Sequence, residues 1–454
     1  MKAPHPWPTE DDLGLLVDLY ELSMLQGYWA AGMEGQATFS LYFRKLPAGR
    51  RFMLACGQQH AAHLVTRLRF PEAALEKIAR LGGFRDEFLR WLGDFRFSGD
   101  IVALPEGTPV FPEEPLLEVS APIAEAQLLE TLLMNLVHLE TVLASKAIRM
   151  VLAARGRPVV DFGMRRMHGI DAAVRGVRAY RTAGISGTSH VLAGLHFGLP
   201  VSGTMAHSYI QAFDDEAEAF RRYAELYPGT TLLVDTYDTL AAVDKVIALR
   251  HELGDAFRIG AVRLDSGDMA ALARAARARL DAAGLADVKI FASGGLDEHG
   301  IAALLAAGAP IDAFGVGTSL GTSADAPYLD LVYKMTAFAG QPRLKNSPGK
   351  AVWPGAKQVF RHTDEAGRYV RDEVTLRSEH RDAEGLLVPV VAAGEPLDVP
   401  TLDLDAAAAH AADAVARLPE SLRALDDTAA GYPVSISPAL RAERERALER
   451  IAPH

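Results

Sequence analysis

Between residues 259 and 320 the chain alternates between two hydrophobic patterns. "IGAVRL" (259–264), "VKIFAS" (288–293) and "IDAFGVGT" (311–318) are short apolar runs, as expected of strands buried on both faces. Between them, "SGDMAALARAARARLDAAG" (266–284) and "LDEHGIAALLAAGA" (296–309) carry helical patterns. Ser266 and Asp268 stand where a helix takes its cap. Upstream, "RPVVDFGMRR" (157–166), "LPVSGTM" (199–205) and "TLLVDTY" (231–237) read as further strands of the same kind. Strands that alternate with helices predict an α/β fold with a parallel sheet. A barrel and a doubly wound sheet both fit the pattern, and both bind ligands beyond the carboxyl ends of the strands.

The flanks have a different texture. "LGLLVDLYELSMLQGYWAAG" (13–32) predicts a helix with Leu16, Leu19, Tyr20 and Met24 on one face. "QATFSLYFRKL" (36–46) alternates like a strand, a helix pair is expected around 72–93, and "DIVALPEGTPVFPEEPLLEVSAP" (100–122) predicts short strands joined by turns. A long helical pattern covers 123–154. After about residue 345 the pattern is mixed again and ends in helices, "ARLPESLRAL" (416–425) and "SPALRAERERALERI" (437–451). The expected division is an α+β domain over 1–130, an α/β domain over 131–345 and a C-terminal segment over 346–454.

The predicted strand ends carry the candidate chemistry. They hold Asp161 with Phe162, Arg165 and Arg166; "SGTSH" (186–190); Thr204, His207 and Ser208; Asp235 and Asp238; Arg263, Asp265, Ser266 and Asp268; Ser293, Gly294 and Gly295; and Gly315, Gly317 and Thr318. In a barrel all of these converge on one mouth. Glycine pairs let backbone N–H groups approach a phosphate, arginines pair with it, and carboxylates hold Mg²⁺ or ribose hydroxyls. Each has a plainer reading: a glycine turn at "FGVGTSLG", a helix cap at "RLDSGD", surface charge at Arg165 and Arg166. His207 in isolation reads as a packed core histidine. The other polar residues at equivalent strand ends raise it to a candidate site residue. The spacing of Gly315, Gly317 and Gly321 misses the dinucleotide-binding pattern by one residue. Zinc-protease, paired-cysteine, nucleophile-elbow and P-loop motifs do not occur.

Composition narrows the partners. Of 454 residues, 49% are hydrophobic and 23% charged, which is the balance of a globular chain. The formal net charge of −11 argues against nucleic acid, whose phosphates need a basic footprint. Cys56 is the single cysteine, so no internal disulfide forms, which fits a reducing cytoplasm; its place in "FMLACGQQH" reads as a small buried residue. The first twelve residues lack the apolar core of an export signal, and no apolar run is long enough to span a bilayer. A soluble cytoplasmic protein is expected.

Several of these segments are jointly specific. "VDLYELSMLQGYW", "ATFSLYFRKLP", "DFGMRRMHGIDAA", "GTSHVLAGLHFGLPVSGTMAHSY", "VRLDSGD", "ASGGLDE", "FGVGTSL", "VYKM" and "PGAKQVFR" run through the whole length. Together they resemble the nicotinate phosphoribosyltransferases. The resemblance implies an incomplete, TIM-like α/β barrel with an α+β domain built from the N-terminal region and the C-terminal tail, the tail packing back on the N-terminal domain. It implies a homodimer with shared active sites. The implied reaction joins nicotinate to phosphoribosyl pyrophosphate, giving nicotinate mononucleotide and pyrophosphate, in NAD biosynthesis. It also implies coupled ATP hydrolysis through a phosphohistidine, in the manner of a ligase, with Mg²⁺ as cofactor.

Carried over position by position, Tyr20 matches the tyrosine that stacks on the pyridine ring across the dimer. Phe162 matches a ring-facing position, Arg165 a substrate- or phosphate-facing arginine, and Thr204 a nicotinate contact. His207 matches the histidine phosphorylated by ATP. Arg263 matches an arginine at the nicotinate carboxylate or the phosphates, and Asp265 the carboxylate near the ribose hydroxyls and Mg²⁺. Gly295, Gly317 and Thr318 fit a grip on the 5′-phosphate, and Arg44 and Lys45 a phosphate contact at the interface. Two positions depart from the family pattern: His190, where asparagine is common, and Gly294-Gly295, where a polar pair is common. Three rival readings are a nicotinamide or quinolinate phosphoribosyltransferase, an inactive metabolite-binding homologue, and a barrel aldolase. An aldolase wants a lysine at a strand end, and Lys289 stands at a strand start.

Overall fold

The computed structural model describes residues 9–345, 352–425 and 431–451. The first eight residues of the segment read for an export signal lie outside that range. Up to Val142 and from Tyr328 onward the chain forms one compact unit, and Leu143–Pro327 forms a second.

In the second unit six short strands make one parallel sheet. Its spatial order is Gly187–Thr188, Val159–Asp161, Ala313–Val316, Lys289–Ala292, Ala261–Leu264 and Thr231–Leu233. Val262, Leu264, Ile290, Ala292, Phe314 and Val316 are fully buried, which is why these strands read as unbroken apolar runs. Helices Met269–Ala282 and Glu298–Ala306 follow their strands, capped by Asp268 and Asp297.

The order settles the choice between barrel and doubly wound sheet. Neighbouring strands follow the chain order around the sheet, and the first strand pairs with the last, as in a closed barrel. The circle is open between Thr188 and Thr231. "LPVSGTM", expected as a strand there, makes only a single bridge, Thr188 with Val201. The Thr188 N–H donates to the Pro200 carbonyl and the Ser202 N–H to the Thr188 carbonyl, and the pairing then stops. Pro200 has no N–H to extend the ladder on its own side. The incomplete α/β barrel is therefore borne out.

The first unit is α+β. A seven-stranded antiparallel sheet interleaves N-terminal strands Gln36–Phe43, Asp100–Ala103 and Pro115–Pro122 with Leu331–Phe338 and Val388–Ala392 from the later chain. Phe39 and Tyr333 stack across it at 4.9 Å. Each large apolar side chain buried in this core contributes about 2 kcal/mol. A further sheet of Lys357–Thr363, Tyr369–Leu376, Glu384–Gly385 and Val434–Ile436 lies in the tail. Cys56 is buried, as read.

The helical reading of residues 13–32 needs correction. A 3-10 turn, Glu10–Leu15, is followed by a separate helix, Leu19–Ala30. The helix restarts at Asp18, so its phase is reset. Leu13, Glu21, Leu22 and Leu25 are buried, while Leu16, Leu19 and Tyr20 are exposed. The pattern over 123–154 likewise splits, into Ile123–Leu128 and Glu130–Ala153. No helix among the described residues is long and apolar enough to cross a membrane.

Candidate active site

The carboxyl ends of the parallel strands surround a cavity of about 380 Å³, walled by second-unit residues. Phe162, Arg165, Thr204, His207, Arg263, Asp265, Gly295, Gly317 and Thr318, all expected from sequence, line it. Tyr20, Arg44 and Lys45 belong to the first unit. There Tyr20 and Lys45 are exposed, and Arg44 pairs with Asp330 at 3.4 Å.

Arg263 lies near the end of the Ala261–Leu264 strand, with only 13% of its side chain exposed. Its Nη2 donates to the Met205 carbonyl at 3.1 Å, and Nη1 stands 4.0 Å from Asp265 Oδ1. Its guanidinium carbon lies 5.9 Å from the centre of the Phe162 ring. Burial, and repulsion from Arg165, pull its pKa below the usual arginine value. A guanidinium still keeps its proton, so the site holds a fixed and poorly hydrated positive charge.

Phe162 is set by packing on both sides. Its N–H donates to the Val316 carbonyl at 2.7 Å, and its ring stacks on Phe291 at 5.8 Å. The ring lies so close to Gly315 that a Cβ there would come within 2.6 Å of it. Gly315 is thus glycine to admit the Phe162 ring, a packing role beside the phosphate-type turn read from sequence.

Asp265 is held from two directions. The Ser293 hydroxyl donates to its Oδ1 at 2.5 Å, and its own N–H donates to Asp235 Oδ2 at 3.2 Å. A Cβ on Gly294 would sit 1.8 Å from the Asp265 carbonyl oxygen, and Gly294 has φ +90°. At Gly294 the departure from the family's polar pair therefore meets a steric demand in this chain, whereas Gly295 faces open space. Asp235 also accepts from the Ser266 hydroxyl, and its other oxygen, Oδ1, is buried without a partner.

No cluster of three or more histidine, cysteine or carboxylate side chains able to hold a metal occurs among the described residues. Mg²⁺ does not require one: it keeps waters and takes substrate phosphates beside one or two carboxylates. Asp265, which lines the cavity, fits that demand as the one carboxylate.

His207 opens the short helix His207–Gln211, and its Nδ1 lies 3.1 Å from the Thr236 hydroxyl. That contact fixes the ring plane beside the cavity. Thr204 donates to the Met205 carbonyl at 3.2 Å. Asp238 and Asp268 serve as helix caps, the plainer of the readings open to them. His190 is also a cap: its Nδ1 accepts from the Ala193 N–H at 3.5 Å. Asparagine is among the best N-cap residues, so histidine does here the work that asparagine would do.

Sequence reasoning missed Met205 in the lining and Thr236 behind His207. Ser189, inside the "SGTSH" strand end, lines the cavity. Arg166, paired with Arg165 in the reading, lines the cavity as well.

Comparison with known proteins agrees with this site. Residues 15–138 match the nicotinate phosphoribosyltransferase N-terminal domain, and residues 158–383 match the nicotinate phosphoribosyltransferase family. A nicotinate phosphoribosyltransferase of Mycobacterium tuberculosis is 52% identical over 432 residues, covering 95% of this chain and 93% of its own. One from Bacillus subtilis is 40% identical over 379 residues, covering 82% and 77%. Among solved structures, human nicotinic acid phosphoribosyltransferase superposes with a TM-score of 0.83 at 28% identity, over 95% of this chain and all of that one. Nicotinate-nucleotide pyrophosphorylase from Pyrococcus furiosus follows with 0.74 at 26% identity, over 91% and 98%. With its cavity built at the open strand ends and its family matches spanning both units, the chain belongs to the nicotinate phosphoribosyltransferase family.

Proposed function

We propose that this protein joins nicotinate to phosphoribosyl pyrophosphate, releasing nicotinate mononucleotide and pyrophosphate, a step that supplies NAD. The observation that carries the reading is the meeting of Arg263, Phe162 and Asp265 in one cavity, within a chain of this family. The pyridine nitrogen attacks the ribose anomeric carbon. A C–N bond forms, the C–O bond to pyrophosphate breaks, and pyrophosphate leaves with the electron pair. The transition state is oxocarbenium-like, so the protein's work is orientation and charge placement.

Phe162 offers an aromatic wall to the flat pyridine ring, and Arg263 a partly desolvated cation to its carboxylate or to phosphate. Asp265 faces the ribose hydroxyls. Gly295, Gly317 and Thr318 present backbone to the 5′-phosphate. Bound Mg²⁺ would neutralise the leaving pyrophosphate; Asp265 is the residue to hold it.

His207 is not needed to activate a pyridine nitrogen that already carries its lone pair. We assign it instead to accept a phosphoryl group from ATP, which is the ligase-type coupling of the reaction. A homodimer would bring Tyr20 of one copy to the site of the other. The exposed Val191, Leu192 and Leu195 on one short helix support association with a second copy.

The test is nicotinate mononucleotide formation with and without ATP, beside parallel assays on nicotinamide and quinolinate and an acid-labile phosphoprotein assay. Product from nicotinate alone, stimulated by ATP, is expected. No product from nicotinate, or faster turnover of either other base, overturns the reading.

A further inference from the structure

Asp161 ends the Val159–Asp161 strand and is 1% exposed. It does not line the cavity, yet the loops on either side of it do. Its Oδ1 accepts from the Gly163 N–H at 2.7 Å, inside the loop that carries Phe162 and Arg165. Its Oδ2 accepts from the Thr188 hydroxyl at 2.7 Å. That hydroxyl accepts in turn from the His190 N–H at 3.1 Å, which leaves its own proton for Asp161. The Asp161 carbonyl accepts from the Ser189 N–H at 2.8 Å. One residue thus ties the Phe162–Arg165 loop to the Ser189–His190 loop.

Burial raises the pKa of Asp161, while the bonds from Thr188 and Gly163 oppose the rise. The groups that bond the carboxylate are a hydroxyl and a backbone amide, both neutral. A buried carboxylate held by neutral donors is costly, and a neutral side chain could fill the space more cheaply. What the carboxylate adds is two acceptors on one rigid group, aimed at two loops.

We propose that Asp161, through Thr188, is the positioning residue that sets Phe162, Arg165 and Ser189 at their working separation in the nicotinate site. The inference rests on the nicotinate reading for its kinetic consequence but not for its structural one, and the test separates them. Hydrogen exchange is followed in Asp161→Ala, Thr188→Val and Thr188→Ser beside the parent, together with kcat and KM for nicotinate. In Asp161→Ala, amides 162–166 and 188–190 are expected to exchange at least about tenfold faster, while those at 265 and 293 keep the parent rate. KM for nicotinate rises about tenfold with kcat within about threefold of the parent. Thr188→Val shows the same pattern more weakly, and Thr188→Ser restores parent behaviour.

Unchanged exchange at 162–166 in folded Asp161→Ala overturns the proposal. So does a fall in kcat at constant KM, which marks a smaller active fraction. Should Asp161→Ala fail to fold, Thr188→Val decides, and parent-like exchange and KM in it overturn the proposal. Local loosening in the variants, beside a parent that makes no product from nicotinate, would count against the nicotinate reading alone.

Discussion

The Thr236 hydroxyl and His207 Nδ1 lie 3.1 Å apart, across the opening where the barrel lacks a strand. A histidine that accepts a phosphoryl group must present one nitrogen at a fixed angle, and this contact holds the other. His207→Ala is expected to abolish the acid-labile phosphoenzyme and the stimulation by ATP, while leaving slow ATP-independent product formation. Thr236→Val should lower the ATP-stimulated rate about fivefold, the worth of one hydrogen bond of about 1 kcal/mol. Single-turnover labelling with γ-phosphate-labelled ATP checks both. Full labelling of His207→Ala would remove the residue from that role.

Arg263 joins three groups at once: the Met205 carbonyl, Asp265 and the face of Phe162. A lysine keeps the charge but loses the planar fork and the stacking. Arg263→Lys is therefore expected to lose about 100-fold in kcat/KM for nicotinate, or roughly 2.7 kcal/mol. Steady-state kinetics at saturating phosphoribosyl pyrophosphate measures it. A loss below about fivefold would show that charge alone suffices.

Much of this site was legible because parallel strands advertise their ends. The "AVRL" and "AFGV" strands are largely buried, so the polar residues at their ends and just after them had to lie at the sheet edge or beyond it. Arg263, Asp265, Gly317 and His207 were found that way. Thr236 was not, because a threonine inside "VDTYD" has no signal until the fold sets it against His207. The face of the first helix was misread for a different reason. Periodicity counted Leu19 and Tyr20 as inward, but buried Glu21 takes a position that a hydrophobic count assigns to solvent. Its carboxylate accepts from both the N–H and the hydroxyl of Thr131, 110 residues away in sequence. No local pattern encodes such a partner.

That same Glu21 gives a pH dependence. Burial raises its pKa to about 7, against the lowering effect of the Thr131 hydrogen bonds. The unfolded chain holds this carboxyl near 4.5, so the folded state keeps a proton that the unfolded state has lost. The contribution to stability is full below about 4.5 and is lost as the pH rises to about 7. Glu21→Gln, neutral at every pH, should flatten that part of the profile and raise stability above pH ~7 by on the order of 2 kcal/mol. Thermal melting at intervals from pH 5 to 8 reads the difference. Parallel profiles for variant and parent would show that Glu21 titrates normally.

His190 offers the sharpest check on a departure from the family pattern. Its imidazole Nδ1 caps the helix Val191–Phe197, and its Nε2 is buried without a partner. The cap needs Nδ1 as an acceptor, hence the neutral ring with its proton on Nε2, where it meets no acceptor. Asparagine makes the same cap with a side-chain oxygen. His190→Asn is therefore expected to leave thermal stability unchanged or raised by up to about 1 kcal/mol, with kinetics close to the parent. His190→Ala removes the cap and should cost about 1 kcal/mol. Melting curves of the parent and both variants test this directly. Parent-like stability of His190→Ala would mean that the cap is not what His190 contributes.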